Sequence, residues 1–495
     1  MVGTDRCDPF LDHCGYSGFD RAFNIEIAMI DLSSIAAGLG GRPVAVFGLG
    51  LSGLATVSAF VRAGVSVTAW DDDETKRTQA ASEGATITNL SIADLSGFAM
   101  LVVAPGIPLT HPEPHVVVAR AQESGVEILG DVELLHRVHH GRKTIGITGT
   151  NGKSTTTALI GHVLNANGIT ASVGGNIGRA ALDIELPPKD GVIVLELSSY
   201  QLDLCPTFAP EIGVHMNLTP DHLDRHGDMA GYAAAKMRIF RGAGAAIIGV
   251  DDEPSRAMFK QVQEAGERDV YAISVVNPVE RGAYVSNGVL FDCMDGDARE
   301  IGSVSAFSTL PGVHNHQNIC AAYIAARLSG LDADTIMNAV KTYPGLPHRQ
   351  FMTRVINGVA YVNDSKATNA DATAKALVCY RNICWIVGGK PKDGGLNGLE
   401  PFMDRVRKAF VIGAAMDDFC KWLDNHGVDY VRSETLDRAV SDAHITAQSA
   451  RGEPGGAGVV LLSPACASFD QFRSFEHRGD EFTKMVMALP EGDKA

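Results

Sequence analysis

No CxxC pair occurs anywhere in this 495-residue chain; its nine cysteines are scattered, with Cys379 and Cys384 the closest two. That spacing offers neither a zinc framework nor a disulfide scaffold. It suits a reducing compartment in which most cysteines are small buried apolar residues, so a cytoplasmic location is expected. Apolar runs of the roughly 18 residues that span a bilayer are also missing, and no membrane insertion is expected. Residues 1–28 hold Asp5, Arg6, Asp8, Asp12 and Asp20 but no apolar stretch, so they do not read as a secretory leader. They read as a loose extension, or an upstream start, ahead of Met29. Basic residues are too few for a nucleic-acid partner: 42 Lys and Arg stand against 58 Asp and Glu, a net charge of −16. Small phosphates remain possible ligands, because a helix N-terminus and a few Lys or Arg hold them locally. Aromatics are only 6% of the chain while glycines number 53, which favours an α/β enzyme with many tight strand-to-helix turns.

Three α/β blocks follow one another. The first has apolar strands over 44–47, 65–70 and 100–103, with a helix over 52–62. The second has strands over 145–147, 191–197, 212–216 and 245–250, and a helix over 153–166. Short strands then fill 270–305, turning at Asn287-Gly288, before helices over 315–328 and 332–342. The Pro- and Gly-punctuated segment 343–347 reads as a linker. Strands over 359–362, 383–387, 409–412 and 459–462 make the third block. Domains are therefore placed at 29–131, 132–344 and 345–495, each with a largely parallel sheet.

The first block carries Gly48-Leu49-Gly50-Leu51-Ser52-Gly53 between strand and helix, with Asp71 ending the next strand. This is the fingerprint of a pyrophosphate on a helix N-terminus and a carboxylate on a ribose. NAD and a uridine diphosphate sugar both satisfy it, and the motif alone does not choose between an oxidoreductase and a nucleotide-sugar enzyme.

The second block carries Gly149-Thr150-Asn151-Gly152-Lys153-Ser154-Thr155, again between strand and helix. Its glycines let successive amides face one phosphate, Lys153 would bridge the β- and γ-phosphates of ATP, and Ser154 would take Mg²⁺. The loop is a variant, since Ile147 stands where the G-x-x-x-x-G-K pattern starts with glycine. Glu196 ends the buried strand 192–195, at the edge of a parallel sheet where ligands bind, and is a candidate oxygen ligand for Mg²⁺. The polar loop 217–226 and Lys236 follow. An ATP-binding regulator without ligase activity would share all of these features.

Together the segments GTNGKST, LELSSYQL (195–202), NLTPDHLDRH (217–226) and AAKMRIF (234–240) resemble the Mur ligases. LPGVHNHQN (310–318), GLPHR (345–349), NDSKATN (363–369) and SPACASFDQFRSFEHRG (463–479) continue the resemblance, which covers roughly 30–490. The last two segments resemble the D-glutamate-adding branch. The resemblance implies three domains: a Rossmann-like UDP-binding domain, a central ATPase sheet, and a C-terminal Rossmann-like domain. It implies an ATP-dependent amide ligase of peptidoglycan synthesis whose partners are UDP-N-acetylmuramoyl-L-alanine and D-glutamate, acting as a monomer with ATP and two Mg²⁺ sites.

Carried over position by position, Lys153, Glu196, His222 and Lys236 are the implied catalytic group. Ser154, Glu196, His222 and a carbamylated Lys236 are the implied metal ligands. ATP is expected on 149–155 with Asn315, Asn318, His348, Arg349, Asp364 and Lys366. The UDP-substrate is expected on Gly48, Gly50, Leu51, Ser52, Asp71, Gly106, Asn176 and His222. D-Glutamate is expected on Thr368, Lys392, Ser468, Phe469 and Phe475. Two departures stand out: Asp71-Asp72-Asp73 replaces a Thr-Arg pair that some members carry near uracil, and Ala104 replaces a frequent Ser. Sites shared between domains imply closure before chemistry, with hinges expected near 130–133 and 342–345.

Overall fold

The computed structural model describes residues 28–305, 307, 309–392, 394–452 and 458–490. Most of the N-terminal extension expected over 1–28 lies outside the described residues; Ala28 and Met29, however, form a strand antiparallel to Glu185–Leu186. No helix among the described residues is long and apolar enough to cross a membrane.

Three sheets correspond to the three blocks. The first is a five-stranded sheet, parallel throughout, in the order Thr86–Ile87, Val67–Trp70, Val44–Phe47, Met100–Val103, Glu127–Leu129. Val44–Phe47 and Met100–Val103 are buried on both faces, as unbroken apolar runs between covering helices should be. The second is nine-stranded. From the edge strand Ala171–Gly175 it runs parallel through Val192–Glu196, Lys143–Thr148, Ile212–His215, Gly244–Gly249 and Arg268–Ser274 to Gly282–Ser286, and its opposite edge is antiparallel. That edge holds the expected hairpin, with Asn287 at φ 51° and Gly288 at φ 74°. The third is six-stranded, in the order Phe351–Ile356, Val359–Asn363, Val459–Leu462, Ile383–Gly388, Val406–Ile412, Tyr430–Glu434.

In each sheet the chain reverses its direction of strand addition beside one strand, and the crevice opens at the carboxyl ends there. Val44–Phe47 lies between its successors Val67–Trp70 and Met100–Val103. Lys143–Thr148 lies between Val192–Glu196 and Ile212–His215. Val459–Leu462 inserts between Val359–Asn363 and Ile383–Gly388. The expected segments at Gly48, Asp71, Gly106, 149–155, Glu196, Asp364 and Ser468 follow these strand ends, whereas Lys236, Asn315 and Asn318 lie on helices.

The hinge expected at 130–133 is instead a seam. One apolar core runs unbroken from Val44, Val46 and Phe60 of the first domain to Ile193, Leu195 and Ile248 of the central sheet. Asp131 and Glu133 are fully buried between them. Glu133 accepts from the Thr207 amide (3.0 Å) and the Phe208 amide (3.1 Å), while Asp131 accepts from the Ala181 amide (3.3 Å). The Gly130 amide donates to the Leu204 carbonyl at 3.0 Å. Swinging here would strip several buried groups of their partners. The third domain has its own two cores and joins the central one through residues 342–345.

Glu133→Ala is therefore expected to destabilise both domains together, by about 1–3 kcal/mol, since it orphans the buried Phe208 amide and removes the partner of the Thr207 amide. Urea unfolding followed by probes in each domain checks this: the two transitions should shift in step, and a shift confined to one domain would refute the shared seam.

Candidate active site

The strand Lys143–Thr148 delivers the loop 149–152 to the N-terminus of helix Lys153–Ala166. The loop is wedged from two sides. A Cβ on Gly149 would meet Met216 Cβ at 2.9 Å, and one on Gly152 would meet Asn318 Oδ1 at 2.4 Å, so both positions need glycine. The Asn217 side chain accepts from the Asn151 amide (2.8 Å) and donates to Gln317 (3.0 Å), tying the loop to helix Val313–Leu328. Thr156 Oγ1 reaches Asn318 Oδ1 at 3.2 Å, and Asn318 donates to Asn315 at 2.8 Å.

Lys153 Nζ donates to the carbonyls of Gly149 and Thr150, each at 2.9 Å. Burial pushes its pKa down, with the nearby Glu196 carboxylate opposing. Lys236 is 1% exposed; its Nζ donates to the Gly149 carbonyl at 2.8 Å and lies 4.6 Å from the centre of the Tyr232 ring. Burial, then the charge of Lys153, push the Lys236 amine well below the ordinary lysine range. Tyr232, one helical turn before Lys236 on the same face, also meets Thr150 Oγ1 at 3.3 Å.

Glu196 is buried at its strand end. One carboxylate oxygen accepts from Asn176 Nδ2 at 2.9 Å, and the other, Oε2, has no hydrogen-bond partner among the described residues. A buried carboxylate oxygen without a partner is costly unless a ligand meets it. His222 holds a left-handed backbone (φ 55°) and remains half-exposed, its ring 5.0 Å from that of Tyr200 and 6.3 Å from that of Tyr232. Among the described residues no three His, Cys, Asp or Glu side chains gather as a ready metal centre.

The first domain reaches this loop directly. Arg225 lies over the Tyr200 ring at 4.6 Å and donates to the Gly106 carbonyl at 2.8 Å. Within the first domain, a Cβ on Gly53 would strike the Gly48 carbonyl oxygen at 1.9 Å, so helix Leu51–Arg62 packs tightly on the turn. Asp71 accepts the Leu49 amide at 2.7 Å. Gly50 is open to solvent on its Cβ side, and Leu51 is strongly exposed beside it. At the departure point 71–73, Arg77 brings a guanidinium that donates to the Asp71 and Asp72 carbonyls (2.8 Å each) and covers Trp70.

The third domain closes the other wall. A cleft lined by Asn151, Gly152, Asn315 and Asn318 on one side has Arg349, Asp364 and Lys366 on the other. Asp364 accepts from Ser463 Oγ (2.8 Å) and the Gln350 amide (3.1 Å), and burial pushes its pKa up to about 7. His348 departs from expectation. Its ring is buried within the third domain, Nδ1 3.2 Å from Asn363 Nδ2 and Nε2 3.4 Å from Asp480. Its carbonyl accepts the Lys366 amide at 2.9 Å, so it supports the cleft through the backbone.

Of the amino-acid set, Lys392 Nζ lies 3.5 Å from Thr368 Oγ1, and Phe475 lies under the Lys366 ammonium at 5.5 Å. Ser468 is buried, whereas Phe469 points into solvent at 68% exposure. Arg478, outside the expected site set, is fully buried; it donates to the Ser365 carbonyl (2.8 Å) and the Cys466 carbonyl (3.1 Å), joining the loops 363–369 and 463–468. Asn217, Gln317, Tyr232 and Arg225 were likewise not singled out. Only Tyr232 carried a local signal, its one-turn spacing from Lys236.

Ionised Asp364 is expected to lower stability as pH rises. Its folded pKa lies above the unfolded value, so the folded state holds the proton longer, and the cost grows from about pH 4 to about pH 7. Asp364→Asn should therefore melt above the native chain at pH 8 and close to it at pH 5. Thermal melts over that range check the sign; a difference independent of pH would contradict it.

Comparison with known proteins agrees with this geometry. The family profile described as Mur ligase middle domain matches residues 147–326, and that described as Mur ligase MurD-like, N-terminal domain matches residues 42–130. The UDP-N-acetylmuramoylalanine–D-glutamate ligase of Paramagnetospirillum magneticum is 47% identical over 460 residues, 92% of this chain and 99% of that protein. The ligase of the same name from Rhizobium meliloti is 47% identical over 454 residues, 91% of this chain and 97% of that protein. Among solved structures, the UDP-N-acetylmuramate-alanine ligase MurC of Thermotoga maritima has a TM-score of 0.56 at 16% identity, covering 90% of this chain and 99% of its own. MurF of Acinetobacter baumannii has a TM-score of 0.55 at 15% identity, covering 86% and 91%. At such identities the two structures speak for the fold.

Proposed function

The chain belongs to the Mur ligase family, and from that premise we propose that it joins D-glutamate to UDP-N-acetylmuramoyl-L-alanine at the expense of ATP. The observation that carries this reading is the cleft in which Asn151 and Gly152 of the loop face Arg349, Asp364 and Lys366 of the third domain. The central domain offers a phosphate cradle, the third domain adds Arg349 and Lys366 across the cleft, and Arg225 draws the Gly106 turn toward His222.

In this reading the loop amides and Lys153 hold the β- and γ-phosphates, and the alanyl carboxylate enters beside Glu196, Asn176 and His222. A carboxylate oxygen bonds to the γ-phosphorus as the bond to ADP breaks, giving an acyl phosphate. The neutral amine of D-glutamate, held by Lys392, Thr368 and Ser468, then adds to the acyl carbon. The tetrahedral adduct loses a proton and expels phosphate, leaving the amide. A free carboxylate is a poor electrophile, and phosphorylation supplies the leaving group it lacks. The enclosing third domain keeps water from the acyl phosphate.

The residues present suit Mg²⁺, because the partnerless Glu196 oxygen and the Ser154 hydroxyl are hard oxygen donors beside the phosphate cradle. When bound there, Mg²⁺ would shield the phosphates from the approaching carboxylate. A second site would take His222 and a carbamate on Lys236. Burial favours the neutral amine of Lys236, which can add CO₂ and release a proton, turning a cation into an oxygen anion. We place the reaction in the cytoplasm, in a monomer, since this chain's own domains complete the cleft.

Phosphate release with UDP-N-acetylmuramoyl-L-alanine and D-Glu, L-Glu, L-Ala or meso-diaminopimelate tests the assignment. Release is expected with D-Glu alone, and comparable release with another amino acid would overturn it. Lys236→Ala should abolish ligation, and a small added carboxylate should restore part of it. Full activity in that variant would sink the carbamate reading.

A further inference from the structure

We propose that Lys375 is a further nucleotide-binding residue, an ammonium that leaves Asp371 and settles on the polyphosphate when ATP enters the cleft. The proposal rests on the ATP reading above and concerns a residue outside the set that the family resemblance supplies.

Lys375 lies on helix Ala370–Leu377, whose N-terminal part faces the cleft through Ala372. It lines the third-domain wall together with Arg349 and Lys366, opposite Asn151 and Gly152. Its Nζ is held by Asp371 at 3.1 Å, one turn back on the same helix, and that carboxylate is 76% exposed. An exposed pair of this kind contributes about 0–1 kcal/mol, so a polyphosphate displaces it at little cost. The Lys375 side chain is itself one-third exposed.

Its side chain lines the same cleft as Asn151 and Gly152 of the phosphate loop and His314 at the start of helix Val313–Leu328. Without ligand the cleft gathers like charges that repel one another. A triphosphate relieves that repulsion, and Lys375 gains a charge-assisted contact stronger than the one it gives up.

Titration of the full-length protein with ATP and with adenosine, at low and moderate salt, tests this. Lys375→Gln should weaken ATP binding about 5–10-fold at low salt and less at higher salt, while adenosine binding is unchanged. Lys375→Arg should stay within about twofold of the native chain. In turnover, Lys375→Gln should raise KM for ATP and leave KM for the amino acid and the UDP-substrate unchanged. Equal ATP affinity in native and Lys375→Gln proteins would overturn the proposal, as would equal loss of ATP and adenosine. Lys153→Ala serves as the control: undiminished ATP binding there would refute the ATP reading of the loop itself, a failure distinct from a neutral Lys375→Gln.

Discussion

Two lysine side-chain nitrogens share one carbonyl. Lys153 and Lys236 both donate to Gly149 O, at 2.9 and 2.8 Å. Desolvation and mutual repulsion make this arrangement unfavourable without an anion, and the pKa of both groups is driven down accordingly. The surrounding structure holds them there regardless. Thr148 and Gly149 end a central strand, Lys236 is fixed by the helix Met229–Met237, and Lys153 begins the helix that follows the loop. On the function proposed above, the loop amides and Lys153 are already in place for phosphate before phosphate arrives. Glu196, with its partnerless oxygen, supplies the opposite sign at the neighbouring strand end.

The three sheets explain why such different groups meet. Each contributes the carboxyl ends of strands at its point of reversal, so each offers backbone amides, short loops and helix N-termini on one face. The first sheet offers the Gly48 turn and the Gly106 turn, the central one the phosphate cradle and Glu196, the third Asp364, Lys366 and the 463–468 loop. Cross-links then set the relative positions of these loops. Arg225 joins the first domain to the central one, and Arg478 joins the loops 363–369 and 463–468 of the third.

What could be read beforehand was local. The phosphate loop, the Asn287-Gly288 hairpin and the buried strand before Glu196 each carry their signal within a few residues. The partners of the loop, Asn217 and Gln317, do not, because their meeting depends on strand and helix packing across the sheet. The hinge expected at 130–133 fails for the opposite reason: a domain boundary lies there, yet Asp131 and Glu133 are buried and bonded across it. His348 was placed on the nucleotide by resemblance, and its ring turns inward because Gly479 leaves room for it; a Cβ there would lie 2.1 Å from Nδ1. The strand Phe351–Ile356 was overlooked although Asn357-Gly358, with φ of 50° and 82°, repeats the hairpin signal read at Asn287-Gly288.

The continuous core beneath the first two domains has a consequence for how costly assembly of the reacting complex is. Had all three domains moved independently, two relative orientations would have to be frozen out of solution before any bond formed. With the first pair fused through Val46, Phe60, Ile193 and Leu195, that loss was already met when the chain folded. In the reaction proposed above, the orientation of the third domain is the one left to settle. The entropy of aligning the first domain's crevice with the central one is met in folding, once per molecule, while each substrate still loses its own on binding.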